Sequence, residues 1–154
     1  MSIRIRRPNF DEIAIMSDVI LRSKRANGYD DAFMAMCVKE LSVTVDRLKR
    51  REYWVADEAG AICGVTCLVV DPKNATGEIH SFFVDPNHQR KGIGRLLWDT
   101  ILNHANQKNL TKLHLDSDPA AVKFYQALGF EIVGETPSGS IPGRVLPLME
   151  MVVG

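Results

Sequence analysis

A chain of 154 residues fits one domain and can bury one full core. Lys and Arg total 19 and Asp and Glu total 19, so net charge gives no reason to expect nucleic acid or an anionic membrane as partner. Apolar residues at 45% and charged residues at 25% are a globular balance, and no apolar run approaches the roughly 18 residues that a bilayer span needs.

Residues 3–7 alternate apolar and basic side chains, a strand pattern without the apolar centre of a signal peptide, so a cytoplasmic location is expected. Pro8-Asn9-Phe10-Asp11 supplies a turn and a cap before a helix over 12–23, where Ile13, Met16, Ile20 and Leu21 recur at helical spacing. A break at 27–30 precedes a second helix over 31–41 and a shorter one near 44–51. The basic run over 47–51 falls at that helix end, where cations are favourable and solvated.

Residues 53–56 and 61–70 read as a hairpin around a turn at 57–60. Cys63 and Cys67 lie within it, and with Cys37 they read as buried thiols, not metal ligands, because no second ligand pair follows. After a turn at 71–74, residues 78–84 form a strand whose consecutive Phe82, Phe83 and Val84 suggest burial on both faces. A loop over 85–94 leads to an amphipathic helix over 95–108 with Leu97, Ile101, Leu102 and Ala105 on its core stripe. A strand over 112–115, a helix from Pro119 to the C′ residue Gly129, and strands over 131–134 and 146–153 complete the chain. Antiparallel hairpins with two βα crossovers argue for one domain over 1–154: α/β (α+β), a mixed, mostly antiparallel sheet with helices on its faces.

The informative stretch is Asp85-Pro86-Asn87-His88-Gln89-Arg90-Lys91-Gly92-Ile93-Gly94. A strand end, a basic glycine turn and a helix start together make an anion cradle, because the first helical turn has unpaired N–H groups and a positive dipole end. A phosphate or pyrophosphate is the expected ligand. A Walker loop would need Gly-Lys-Ser/Thr, which is absent. A Rossmann fingerprint would need a third glycine where Leu97 stands, and its glycines would follow the strand at once. A cationic turn without a ligand is the remaining alternative.

Gln89-Arg90-Lys91-Gly92-Ile93-Gly94 after Val84-Asp85-Pro86 resembles the pyrophosphate loop of the GNAT acetyltransferases, and Ala121-Val122-Lys123-Phe124-Tyr125 with Gly129-Phe130 is similar to that family's later motif. The order of elements agrees along the whole chain. The resemblance implies acetyl-CoA as co-substrate, no metal, and transfer of an acetyl group to a primary amine. It implies cofactor contacts at Phe83, Val84, Gln89, Arg90, Lys91, Gly92, Ile93, Gly94, Arg95 and Phe124. It also implies Tyr125 as the acid beside the cofactor sulfur, and Glu78 as the base, with His80 or water as alternatives. Asp118 stands where the family often has a cofactor-binding Asn, and is read here as a helix cap. A small-molecule amine is the expected acceptor. A protein lysine or N-terminus, or acyl-CoA binding without turnover, are the alternatives. The loop from Pro137 to Arg144 either borders the acceptor site, with Arg144 free for a carboxylate, or makes a rigid connection or a homodimer contact.

Overall fold

The computed structural model describes residues 2–89 and 91–154. Strand β1 (Ile3–Arg6) is followed by α1 (Ile13–Arg25), α2 (Asp31–Leu41) and α3 (Val45–Arg50). Then come β2 (Glu52–Glu58), β3 (Ala61–Asp71), β4 (Thr76–Val84), α4 (Ile93–Gln107), β5 (Lys112–Asp116), α5 (Val122–Leu128), β6 (Glu131–Pro137) and β7 (Val145–Val152). The strands form one sheet in the order β1-β2-β3-β4-β5-β7-β6. Only β4 and β5 run parallel; every other neighbouring pair is antiparallel. No helix among the described residues is long and apolar enough to cross a membrane.

Local chemistry explains where the elements start and stop. Asn9 and Glu12 form a reciprocal capping box, so a 3-10 turn over Phe10–Glu12 precedes α1. Asp30 and Thr44 cap α2 and α3 by accepting from the amides of Phe33 and Arg47. Ala59 and Gly60 both take positive φ, giving a two-residue hairpin turn. Strand β2 therefore runs on to Glu58, through the stretch expected to turn.

Two apolar layers sandwich the sheet. Met16, Val19 and Ile20 of α1 pack on Tyr53, Val55, Val65 and Cys67 from one side. Trp98, Ile101 and Ala105 of α4 pack on Trp54, Leu68, Leu113 and Leu115 from the other. All three cysteines are buried free thiols. Contrary to the expectation of burial on both faces, Phe82, Phe83 and Val84 are each only partly buried, because that end of β4 borders a cavity.

At Gly64 a Cβ would lie 2.9 Å from Ile93 Cγ2 and 3.2 Å from Leu97 Cδ1, so the missing side chain lets α4 sit close on β3. Gly64→Val should overpack this contact and lower stability by about 1–3 kcal/mol. Urea unfolding checks this; an unchanged midpoint would mean that α4 can move away freely.

Candidate functional site

Strands β4 and β5 share only three paired positions, Thr76 with Lys112, Gly77 with Leu113 and Glu78 with His114. Beyond Glu78 the two strands part. A cavity of about 500 Å³ opens there, walled by β4 residues from Glu78 to Val84, by Leu115 and Asp116 of β5, and by Tyr125 and Phe124 of α5.

A β-bulge sets the direction of the β4 side chains. Ser81 pairs with Cys67 and Ile79 pairs with Leu68, leaving His80 as an extra residue between them. Cys67 belongs to the α1 layer and Leu68 to the α4 layer. The bulge therefore keeps Glu78, which pairs with Val69 of the α1 layer, on the α1 side. Phe82 and Val84 turn to the α4 side, where they pack beside Ile93 and Leu97.

At one end of the cavity lies the glycine turn. Gly92 has φ 77° and acts as the N-cap of α4. That left-handed residue is why α4 starts at Ile93, two residues earlier than expected, bringing Gly94 inside its first turn. Gln89, Gly92, Ile93, Gly94 and Arg95 line the cavity. A Cβ at Gly92 would meet nothing within 4 Å, so the backbone there faces open space that a bulky group can fill.

The charged side chains around this turn are already engaged. Lys91 does not line the cavity; its ammonium lies 3.2 Å from the buried carboxylate of Glu58. Arg95 pairs with Asp99 at 3.4 Å. Arg22 clamps Asp85 with two hydrogen bonds of 2.9 and 3.0 Å, and Asp85 also accepts from the Asn87 amide. Burial pushes the Asp85 carboxyl up, but Arg22 and Asn87 outweigh it and hold the group below the usual carboxylate range. Among the described residues the start of α4 offers an anion its free N–H groups and dipole, with the exposed Arg95 beside them. Arg90 lies outside the described residues.

Tyr125 is 7% exposed, ringed by Phe82, Phe124 and Phe130 at centroid distances of 6.1, 5.3 and 5.7 Å. Its side chain reaches the cavity wall, and its hydroxyl has no hydrogen-bond partner among the described residues. Burial, then the charge of Asp118, raises its pKa well above the ordinary value, so the phenol stays protonated. Phe124 is 40% exposed, between Tyr125 and Gly94.

The other end of the cavity is built by residues far apart in sequence. Ser23, Lys24, Asn27, Glu40, Glu78, His80 and Gly139 line it. Asp118 caps the 3-10 turn over Pro119–Ala121 through the Ala120 amide. Its other oxygen accepts from Lys24 Nζ at 2.6 Å and from the Tyr29 hydroxyl at 2.8 Å. Arg144 donates to that same hydroxyl at 2.8 Å, and its guanidinium lies 4.9 Å from the centre of the Phe33 ring. Arg144 does not line the cavity. Ser140 donates to Glu40 at 3.0 Å, and a Cβ at Gly139 would collide with the Glu40 carboxylate. The loop between β6 and β7 is thereby strapped to α2 and to the turn between α1 and α2.

Comparison with known proteins agrees with this geometry. The model of the Acetyltransferase (GNAT) family matches residues 20–130. The chain belongs to the GNAT acetyltransferase family. N-acetyltransferase 8 of Homo sapiens is 29% identical over 112 residues, which cover 67% of this chain and 49% of that protein. N-acetylaspartate synthetase of Danio rerio is 31% identical over 101 residues, 64% of this chain and 36% of that protein. The chain thus spans about half or less of the length of these curated relatives. Among solved structures, the PaiA N-acetyltransferase of Thermoplasma acidophilum, in complex with coenzyme A, superposes with a TM-score of 0.82 at 18% identity over 99% of both chains. That likeness establishes the GNAT fold for this chain. Among the described residues no group of three or more His, Cys, Asp or Glu could hold a metal ion.

The Lys24–Asp118 pair gives a test with a definite sign. Burial pushes the Asp118 carboxyl up; Lys24, the Ala120 amide and Tyr29 together hold it below its ordinary value. A depressed carboxyl pKa contributes stability that is complete above the unfolded value of about 3.9 and is lost as pH falls through the folded value. Asp118→Asn keeps the cap but loses the charge, and should cost about 2 kcal/mol at pH 7. Urea midpoints of the two proteins should converge below about pH 4. A gap that persists at lower pH would show that the ion pair is not its source.

Proposed function

We propose that this GNAT domain is an acetyl-CoA-dependent N-acetyltransferase acting on a primary amine of a small molecule. The carrying observation is one continuous cavity, lined at one end by the Gly92–Gly94 turn, in its middle by Tyr125, and at the other end by Glu78. The residues fit the co-substrate. The N–H groups at the start of α4 would receive the pyrophosphate. The part of β4 past Glu78, which has left β5, offers backbone groups to an extended chain. Bound there, the co-substrate supplies an acetyl group activated as a thioester.

The chain's own groups then have three tasks. An alkylamine with a pKa of roughly 10 is mostly protonated at neutral pH. Glu78 takes that proton, so that the nitrogen lone pair can attack. A backbone N–H of the Phe83–Val84 segment receives the carbonyl oxygen as it becomes negative. As the C–S bond breaks, the second proton leaves the attacking nitrogen for the departing sulfur, to which the fully protonated Tyr125 hydroxyl donates a hydrogen bond. Because its pKa lies above that of a thiol, donation of a hydrogen bond contributes more than complete proton transfer. Holding both reactants in line between the parted strands adds the advantage of proximity. Glu40 and Gly139 wall the acceptor end, and the Ser140–Glu40 hydrogen bond fixes that wall, which supports a small acceptor over a protein one.

Thiol release with a panel of primary amines tests the reading. Tyr125→Phe should retain acetyl-CoA affinity within a few-fold and lose about 10²-fold or more in turnover. Unchanged turnover would remove Tyr125 from the mechanism. Glu78→Gln should lose turnover at pH 7 and recover it as pH rises toward about 10, where the amine deprotonates itself. A pH profile parallel to that of the unmodified protein would exclude Glu78 as base.

A further inference from the structure

Outside the three tasks above, the cavity holds one imidazole whose protonation is dictated by its neighbour. His80 Nδ1 lies 3.2 Å from Arg51 Nη1. A guanidinium has five N–H donors and no acceptor. The contact is therefore a hydrogen bond only if Nδ1 carries a bare lone pair. The proton of the neutral ring then resides on Nε2. A doubly protonated ring would set N–H against N–H and cation against cation. Burial and the Arg51 charge accordingly both hold the ring's pKa below its ordinary value.

Arg51 is well placed to enforce this state. It lies beside Tyr53 and Cys67, whose groups burial pushes up to about 12 in each case, so neither supplies an anion at neutral pH. Its guanidinium reaches His80 Nδ1 at 3.2 Å and has Tyr53 and Cys67 within hydrogen-bonding reach as well. The charge behind the ring polarises it and strengthens Nε2–H as a donor. The bulge in β4 sets His80 on the cavity wall, where the residue is only partly buried. His80 thus has no lone pair free to act as base, the role that the family resemblance left open to it.

We infer that His80 is a tautomer-locked hydrogen-bond donor, positioned by Arg51, that reads a neutral oxygen, a carbonyl or hydroxyl, next to the reactive amine of the acceptor. Neutrality follows from the surroundings. Glu40 and Glu78 line the same end of the cavity and repel a carboxylate, while the cations nearby are engaged: Lys24 pairs with Asp118 at 2.6 Å, and Arg47 donates to the carbonyls of Lys39, Glu40 and Ser42. An ammonium gains nothing from an N–H donor. This inference rests on the acetyltransferase reading, and adds to it the chemical class of the acceptor.

Two measurements on the intact chain test it. Long-range nitrogen–proton NMR correlations at pH 7 report the ring tautomer, with the His80 signal assigned by its loss in His80→Gln. The expected result is a protonated Nε2 and bare Nδ1; a protonated Nδ1 overturns the proposal. Thiol-release kinetics then compare glycinamide and ethanolamine with propylamine and glycine. The unmodified protein should favour glycinamide or ethanolamine at least about tenfold in kcat/KM, a discrimination of one hydrogen bond. His80→Leu should erase that preference through KM, with acetyl-CoA affinity unchanged, and His80→Gln should restore part of it. Arg51→Met should mix the tautomers and weaken the preference. Equal use of propylamine, or a preference that survives in His80→Leu, overturns the proposal. Loss of turnover with every amine would instead overturn the acetyltransferase reading, and the acceptor assignment with it.

Discussion

The pairing of β4 with β5 stops after three positions, and the rest of the site depends on that stop. Up to Glu78 the strands form a closed parallel ladder over Leu113 and the α4 layer. Past it they part, and the backbone that would have been paired becomes the wall of a cavity. The bulge at His80 falls at the same place and turns Phe82 toward α4 while Glu78 stays on the α1 side. One interruption of a ladder thus separates a face that can hold an extended, phosphate-ended ligand from a face that can hold an amine.

Each face is supported by contacts that tie distant segments together. The Arg22 clamp on Asp85 joins α1 to the entry of the glycine turn. Lys24, Asp118, Tyr29 and Arg144 link the end of α1, the corner after β5 and the loop before β7. These partly buried charges are hydrogen-bonded on both sides, so removing one member leaves an uncompensated charge. At the glycine turn Lys91 is held by Glu58, while the backbone N–H groups that open α4 face the cavity and suit an anion.

Much of the fold was legible because it is local. The stripe Leu97, Ile101 and Ala105 is buried on α4 as its spacing demanded, and Gly129 closes α5 in the left-handed conformation. Asp118 caps its turn as its place before Pro119 suggested. The errors were also local: Ala59-Gly60 compress the expected turn, and Gly92 starts α4 early. Most of the candidate site could be read from two motifs, and Tyr125, Glu78 and Gly92–Gly94 do meet in one cavity. What could not be read is long-range. Lys24 and Asp118 are 94 positions apart, and Arg144 and Tyr29 are 115 apart, with no periodicity to connect them. The Arg51–His80 contact depends on a bulge, which shifts the strand phase by one residue without a sequence marker. The fate of Arg144, stacked on Tyr29 and Phe33 outside the cavity, was hidden for the same reason.

The central claim is that the parted strands and the Gly92 turn accept a coenzyme A thioester. Calorimetric titration of the folded protein with acetyl-CoA, beside the same titration with NAD, tests it most directly. The account predicts saturable one-to-one binding of acetyl-CoA and none of NAD. A folded protein that fails to bind acetyl-CoA would contradict it and leave the fold without the proposed chemistry.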